Sequence, residues 1–257
     1  MALQPLRIFI GYDPKEIVAY HVLAQSLLER ATVPITIQPL ARTHLAKEFT
    51  RPRGEKESTE FSISRFLVPW LCDYQGFAIF MDCDMLALAD IGELWAYILA
   101  NMMPTIGHPR GAKAVLVCQH DYAPTEGTKF LGQLQTVYPR KNWSSLMVFN
   151  NARCRALTLE YVNTASGLDL HRFNWLDSDA DIGALPLEWN WLVGEYPPND
   201  RAKVLHYTLG GPWFRDVAWQ PEFRQWLDAV RPFAWIDFVS AGMSIDYHSA
   251  TVSRITR

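Results

Sequence analysis

The run Phe77-Ala78-Ile79-Phe80-Met81 contains no polar residue and stops on Asp82-Cys83-Asp84. Five apolar residues in a row leave no face for water, so a strand built from them is covered on both sides. A sheet with such a centre needs helices above and below it, which predicts an α/β chain. The opening agrees: Arg7 to Ile10 is a short, mostly apolar run ending at Gly11, Glu16 to Leu28 sets Ile17, Tyr20, Leu23, Ala24, Leu27 and Leu28 at helical spacing, and Val33 to Ile37 is β-branched. Strand, helix, strand in that order favours parallel pairing, and so a mostly parallel, Rossmann-like sheet.

Further along, Ser62 or Ser64 can cap a helix running to about Asp73 that Pro69 must kink, and Asp90 caps a helix over Ile91 to Ala100. Strand-like pieces follow at Pro104 to Gly107, Ala114 to Cys118, Leu146 to Phe149 and Lys203 to Tyr207. Helical patterns lie around Arg155 to Val162, Leu168 to Leu176 and Pro221 to Val230. Lys47 to Glu60 carries eight charged residues in fourteen, with a proline, a glycine and no apolar period, and reads as a mobile loop or lid. With no internal repeat and no linker, the simplest partition is one domain over 1–257. Its nucleotide-binding half is expected at about 1–107, and an acceptor half with C-terminal helices at about 108–257.

At 49% apolar and 13% aromatic the chain has ample material for a packed core. Its ten tryptophans supply buried area or stacking platforms for sugar rings, between which composition does not choose. A net charge of −3 argues against nucleic acid as a partner. Cys72, Cys83, Cys118 and Cys154 are widely spaced in or beside apolar stretches and read as reduced thiols. No apolar run is long enough for a transmembrane helix, so the expected place is the cytoplasm, at most peripheral at the inner face of a membrane.

In an open α/β sheet, ligands bind beyond the carboxyl ends of the strands. Asp82 and Asp84 stand there, and two carboxylates at a buried strand end repel each other unless a cation offsets them. Asp177-Ser178-Asp179 and Asp179-Ala180-Asp181 share the spacing but follow no apolar strand. His206, at a strand end before Gly210-Gly211, can complete an O,O,N ligand set for Mn²⁺ or Mg²⁺.

These segments resemble glycosyltransferase family 8, the glycogenin and lipopolysaccharide galactosyltransferase group with the GT-A fold. The parts that carry the resemblance are FIGYD, the arginine of SISRF seventeen residues before the acidic motif, FMDCDM, WSSLMVFN and HYTLGGPW. It implies a retaining hexosyl transfer from a UDP-sugar to a saccharide or glycoconjugate acceptor, with Asp82, Asp84 and His206 as metal ligands. Ile10, Tyr12 and Asp13 match the uracil-contacting strand end, Tyr12 stacking on the base and Asp13 accepting from the ring imide. Arg65 matches the basic residue on donor phosphate and sugar, and the Cys83 backbone reaches the ribose. The family's diphosphate lysine is missing from the late turn, which leaves the phosphate to the Gly210 and Gly211 amides or to Arg215. The acidic-amide pair near the reacting carbon falls within Asp177 to Asp181, where Asp179 or Asp181 aligns as catalytic but no glutamine does. Asn150, Trp189 and Asn190 are further candidates for sugar contacts.

Two other readings compete. A nucleotidyltransferase also uses a doubly wound sheet and acidic metal ligands, but Gly11-Tyr12-Asp13-Pro14-Lys15 lacks the glycines of its phosphate loop. A sugar-nucleotide-binding protein without catalysis fits the missing lysine.

Overall fold

The computed structural model describes residues 4–54, 57–103, 106, 113–121, 139–214 and 217–234. Arg215 and almost all of the strand expected at 104–107 lie outside them.

The expected opening is present as β1 (Leu6–Tyr12), α1 (Ile17–Arg30) and β2 (Ile35–Ala41). The apolar run forms β3 (Phe77–Met81), whose last four residues are buried. After the acidic motif come β4 (Met85–Ala87), α3 (Ile91–Met102), β5 (Val115–Cys118), β6 (Leu146–Asn150), α4 (Leu159–Thr164) and α5 (Gly167–His171). β7 (Ile182–Leu185), β8 (Trp191–Leu192), β9 (Val204–His206) and α6 (Phe223–Ala234) complete the described chain. Asp90 caps α3 by accepting from the Gly92 amide, as its place before an apolar period predicts.

The main sheet has the order β2-β1-β3-β6-β5-β7. Five of its strands run one way and β6 runs against them, antiparallel to both β3 and β5. The sheet is therefore mostly parallel, as expected. From β1 the chain steps outward to β2 and then returns to the other flank of β1 as β3, so the strand order reverses between β1 and β3. Such a reversal opens a crevice at the carboxyl ends of the two strands. A second sheet, β4-β9-β8, begins where β3 ends. Phe61 packs against β1 so closely that a Cβ on Gly11 would sit 2.4 Å from its ring.

Two expected elements differ. The helix from Ser62 to Asp73 is instead a 3-10 turn over Ser64–Leu67 followed by the single turn α2 (Val68–Leu71). Pro69 lies near the start of α2, where its missing N–H costs nothing, and left-handed backbone at Asp73 and Tyr74 ends it. The charged stretch from Lys47 is no lid over its described residues. Asn163 Oδ1 accepts from the Thr50 and Arg51 amides at 3.0 and 3.1 Å, and its Nδ2 donates to Glu48 O at 3.0 Å. Arg51 bonds the Val162 and Ala165 carbonyls at the end of α4, and the Glu60 amide donates to Asp13 Oδ2 at 3.0 Å. Backbone groups of the segment and the Arg51 side chain thus strap it to α4.

Candidate metal and donor site

Asp82-Cys83-Asp84 bridges the two sheets. The Asp82 amide extends the β3–β6 ladder by donating to Ser145 O at 2.9 Å, and Asp84 O accepts from the Tyr207 amide at 2.9 Å, just before Met85 pairs with His206. This places His206 Nε2 3.3 Å from Asp84 Oδ1 and 4.0 Å from Asp82 Oδ2. One ligand atom from each of the three residues lies within 4.8 Å of the others. The predicted set is thus assembled, at the carboxyl end of β3 and next to the β1–β3 crevice.

The imidazole is oriented from behind. Its Nδ1 lies 2.8 Å from Asn190 Oδ1, Asn190 Nδ2 donates to Ser145 Oγ at 2.8 Å, and Ser145 Oγ donates to Asn142 O at 2.7 Å. A backbone carbonyl only accepts, so the order of donors is fixed along the chain. Ser145 gives its proton to Asn142, takes one from the Asn190 amide, and leaves Asn190 Oδ1 to accept from His206 Nδ1–H. The lone pair of Nε2 then faces the two carboxylates, the tautomer a metal ligand needs. Two hard oxygen donors and one neutral imidazole fit Mn²⁺ or Mg²⁺.

Arg65 joins this group: its Nη1 is 2.8 Å from Asp82 Oδ1 and donates to Ser144 O at 2.9 Å. The guanidinium also lies 4.9 Å from the Phe80 ring centre and 5.3 Å from that of Phe61, so its plane is fixed by packing as well as by charge. Ser144 Oγ is 2.7 Å from His171 Nδ1. Burial, and then the nearby Arg65 charge, press His171 down to a pKa of about 3.

The other predicted residues divide. Tyr12 is half-buried at the end of β1 and meets Tyr20 edge-on at 5.5 Å. Ile10 is fully buried in the core. Asp13 is also buried, and its two oxygens accept from the Lys15 and Glu60 amides. Cys83 is buried beside Glu16, its Sγ 3.8 Å from Oε2, and burial followed by that carboxylate pushes the thiol pKa well up. The Gly210 amide is spent on Tyr207 O at 2.8 Å, closing the turn with φ of 101°. Gly211 makes room for Trp213, whose ring would lie 1.9 Å from a Cβ there. Asn150 and Trp189 are buried, and Asn190 stands behind His206 instead of facing a sugar.

Asp181 is not brought to this site. It precedes β7, whose Ile182 pairs with Val115 at the start of β5, and its carbonyl accepts from the Ala114 amide at 2.9 Å. That is the amino end of the parallel strands, and the five residues of β3 alone put roughly 13 Å between the two ends. Asp181 is paired with Arg153, whereas Asp179 is paired with Arg140, which lies over the Trp143 ring and on the Arg172 carbonyl. Asp-x-Asp spacing does not say at which end of a sheet it falls.

Two buried residues escaped the sequence reading. Glu16 is 2% exposed, and burial, then the Asp84, Asp13 and Asp82 charges, raise its pKa to about 9. In sequence it passes for an ordinary first-turn glutamate. His120, just past β5, has Nδ1 3.0 Å from the Tyr196 hydroxyl, and burial followed by His206 lowers its pKa to about 3. It lies two residues past a buried strand, close to the position that singles out Asp82 after β3.

No family model matches the chain. Among solved structures it resembles the glycosyltransferase GlyE of Streptococcus pneumoniae TIGR4 with a TM-score of 0.56 at 11% identity, over 98% of this chain and 64% of that one. For GlyE in its apo form the score is 0.53 at 12% identity, over 88% of this chain and 60% of that one, so the chain spans less than two thirds of GlyE. An active-site mutant of LgtC gives 0.55 at 14% identity, over 88% of this chain and 96% of that one. Identities this low establish the fold, which is GT-A. Among curated proteins, Protein CDI of Arabidopsis thaliana is 46% identical over 241 residues, covering 90% of this chain and 88% of the relative. The chain belongs to the family of Protein CDI, built on the GT-A fold of glycosyltransferases.

Proposed function

We propose that this chain is a metal-dependent glycosyltransferase of the family 8 type, moving a hexose from a UDP-sugar to a saccharide or glycoconjugate acceptor with retention. The observation that carries the reading is the convergence of Asp84 and Asp82 on His206 Nε2, at 3.3 and 4.0 Å, beside the β1–β3 crevice. Asp82, Asp84 and His206 would hold the divalent ion, which when bound supplies Lewis-acid stabilisation of the leaving diphosphate. Arg65 adds a fixed positive charge beside that place, strongest where charge develops as the anomeric C–O bond breaks. Tyr12 remains the stacking surface for the base, whereas Asp13 fastens the charged segment from Lys47 through the Glu60 amide. Orientation of the sugar passes from Asp181 to Asp179 or to groups at the carboxyl end of the sheet, His120 among them.

The test is nucleotide release from a panel of UDP- and GDP-sugars, with Mn²⁺, Mg²⁺ or EDTA, without acceptor and with an oligosaccharide mixture. UDP released from one UDP-sugar, abolished by EDTA and by Asp84→Asn, is the expected result, and the anomer of the product by NMR reports retention. Metal-dependent UDP binding with no release from any donor would make the chain a sugar-nucleotide-binding protein without catalysis.

A further inference from the structure

On the other flank of β1 from the acidic motif, the edge strand β2, the turn after it and α2 enclose a cavity of about 430 Å³. Leu40 and Leu45 form buried parts of its wall, Trp70 is half-buried, and Gln38, His44 and Glu48 are exposed along it. Among the described residues, no hydrogen bond, ion pair or ring contact engages the side chains of Gln38, His44, Glu48 or Trp70. A tryptophan recruited only for packing usually finds a ring partner or a partner for its N–H. Here an indole face, an amide, an imidazole and a carboxylate line one concavity with nothing spent on the protein.

The chemistry narrows the occupant. An anion is disfavoured, because Glu48 lines the cavity and no lysine or arginine does. A peptide adding a strand to the edge of β2 is disfavoured too, because Pro39 has no N–H to give. A neutral ring with an apolar face and a rim of hydroxyls meets every group present, since amide and imidazole both donate and accept while the carboxylate accepts. We propose that this cavity is a saccharide-binding subsite, with the Trp70 indole stacked on a pyranose face and Gln38, His44 and Glu48 on its hydroxyls. Ala41 at the end of β2 pairs with Tyr12, and Ile10 of β1 pairs with Met81 of β3. Two strand spacings, roughly 10 Å, therefore separate the cavity's strand from that of the acidic motif. That distance suits an anchor for an acceptor glycan whose end enters the crevice. The anchoring role rests on the glycosyl-transfer reading, whereas saccharide binding does not.

The experiment is affinity measurement by saturation-transfer NMR on the full chain, in EDTA and without nucleotide. The probes are neutral oligosaccharides of glucose, galactose, mannose and xylose. One class is expected to bind wild type, at least tenfold more weakly to Trp70→Ala and to the exposed double variant His44→Ala/Glu48→Ala, with UDP titration unchanged in both. The double variant leaves the core alone, so its loss of binding is not a loss of fold. Absence of binding by every class to wild type, or binding that survives both variants, overturns the subsite. Saccharide binding without any UDP binding would sink the donor reading and leave the subsite standing.

Discussion

The Nδ1 proton of His206 lies on Asn190 Oδ1 because Ser145 and the Asn142 carbonyl leave the amide no other orientation. Sequence shows the ligands themselves, since Asp82 and Asp84 follow a buried strand and His206 ends another. It does not show Asn190, because an asparagine between two tryptophans looks the same whether it faces a sugar or the back of a histidine. Asn190→Ala is expected to weaken Mn²⁺ binding about 10–100-fold, as loss of a partner behind a metal-binding histidine does. Titration followed by electron paramagnetic resonance measures it. The same change strands buried groups on Ser145 and His206 and is expected to cost about 1–3 kcal/mol of stability, read from a urea midpoint. Unchanged Mn²⁺ affinity in a folded Asn190→Ala would show that the relay does not set the tautomer.

At the scale of elements, strands were easier to read than helices or loops. β3 and β5 announce themselves as uninterrupted apolar runs, but direction is not written in such a run, and the reversal of β6 emerges only from its pairing with β3 and β5. Pro69 split the helix expected from Ser62, and the strap from Lys47 was hidden because its partner, Asn163, lies more than a hundred residues away. The strap's amides should be held, so hydrogen exchange at Thr50 and Arg51 is expected to be slow compared with an open loop. Asn163→Ala removes the acceptor for both amides and the donor to Glu48 O. Faster exchange at Thr50 and Arg51, with β3 still protected, is the expected outcome. Equal exchange in the two proteins would return the segment to the status of a lid.

Across the whole molecule, the acidic motif works as a joint. The six-stranded sheet ends at Asp82, the three-stranded sheet starts after Asp84, and His206 comes from the second to meet ligands from the first. The α/β class and the location of this joint were legible because burial on both faces dictates composition. The placing of Asp181 away from it was not, because that depends on which end of β7 the residue precedes. Among the described residues, three buried groups give stability its pH dependence: His171 and His120 act in one direction and Glu16, whose pKa is raised, acts in the other. His171 is neutral in the fold down to about pH 3, whereas in the unfolded chain it takes a proton near its ordinary value of 6.5. The unfolded state therefore binds more protons in that interval, and stability is full above it and falls as pH drops through it. The change in urea midpoint between about pH 7 and about pH 5 is expected to shift in His171→Gln, whose side chain does not titrate, toward less loss at the lower pH than in wild type, with Glu16 and His120 contributing equally to both proteins. Among the described residues no helix is long and apolar enough to cross a membrane. The most direct test of the central claim is calorimetric titration of UDP into wild type and Asp84→Asn, each with Mn²⁺ and with EDTA. The account predicts micromolar binding to wild type in Mn²⁺, at least tenfold weaker in EDTA and in the variant. Binding of equal strength in all four samples, or none in any, would contradict it.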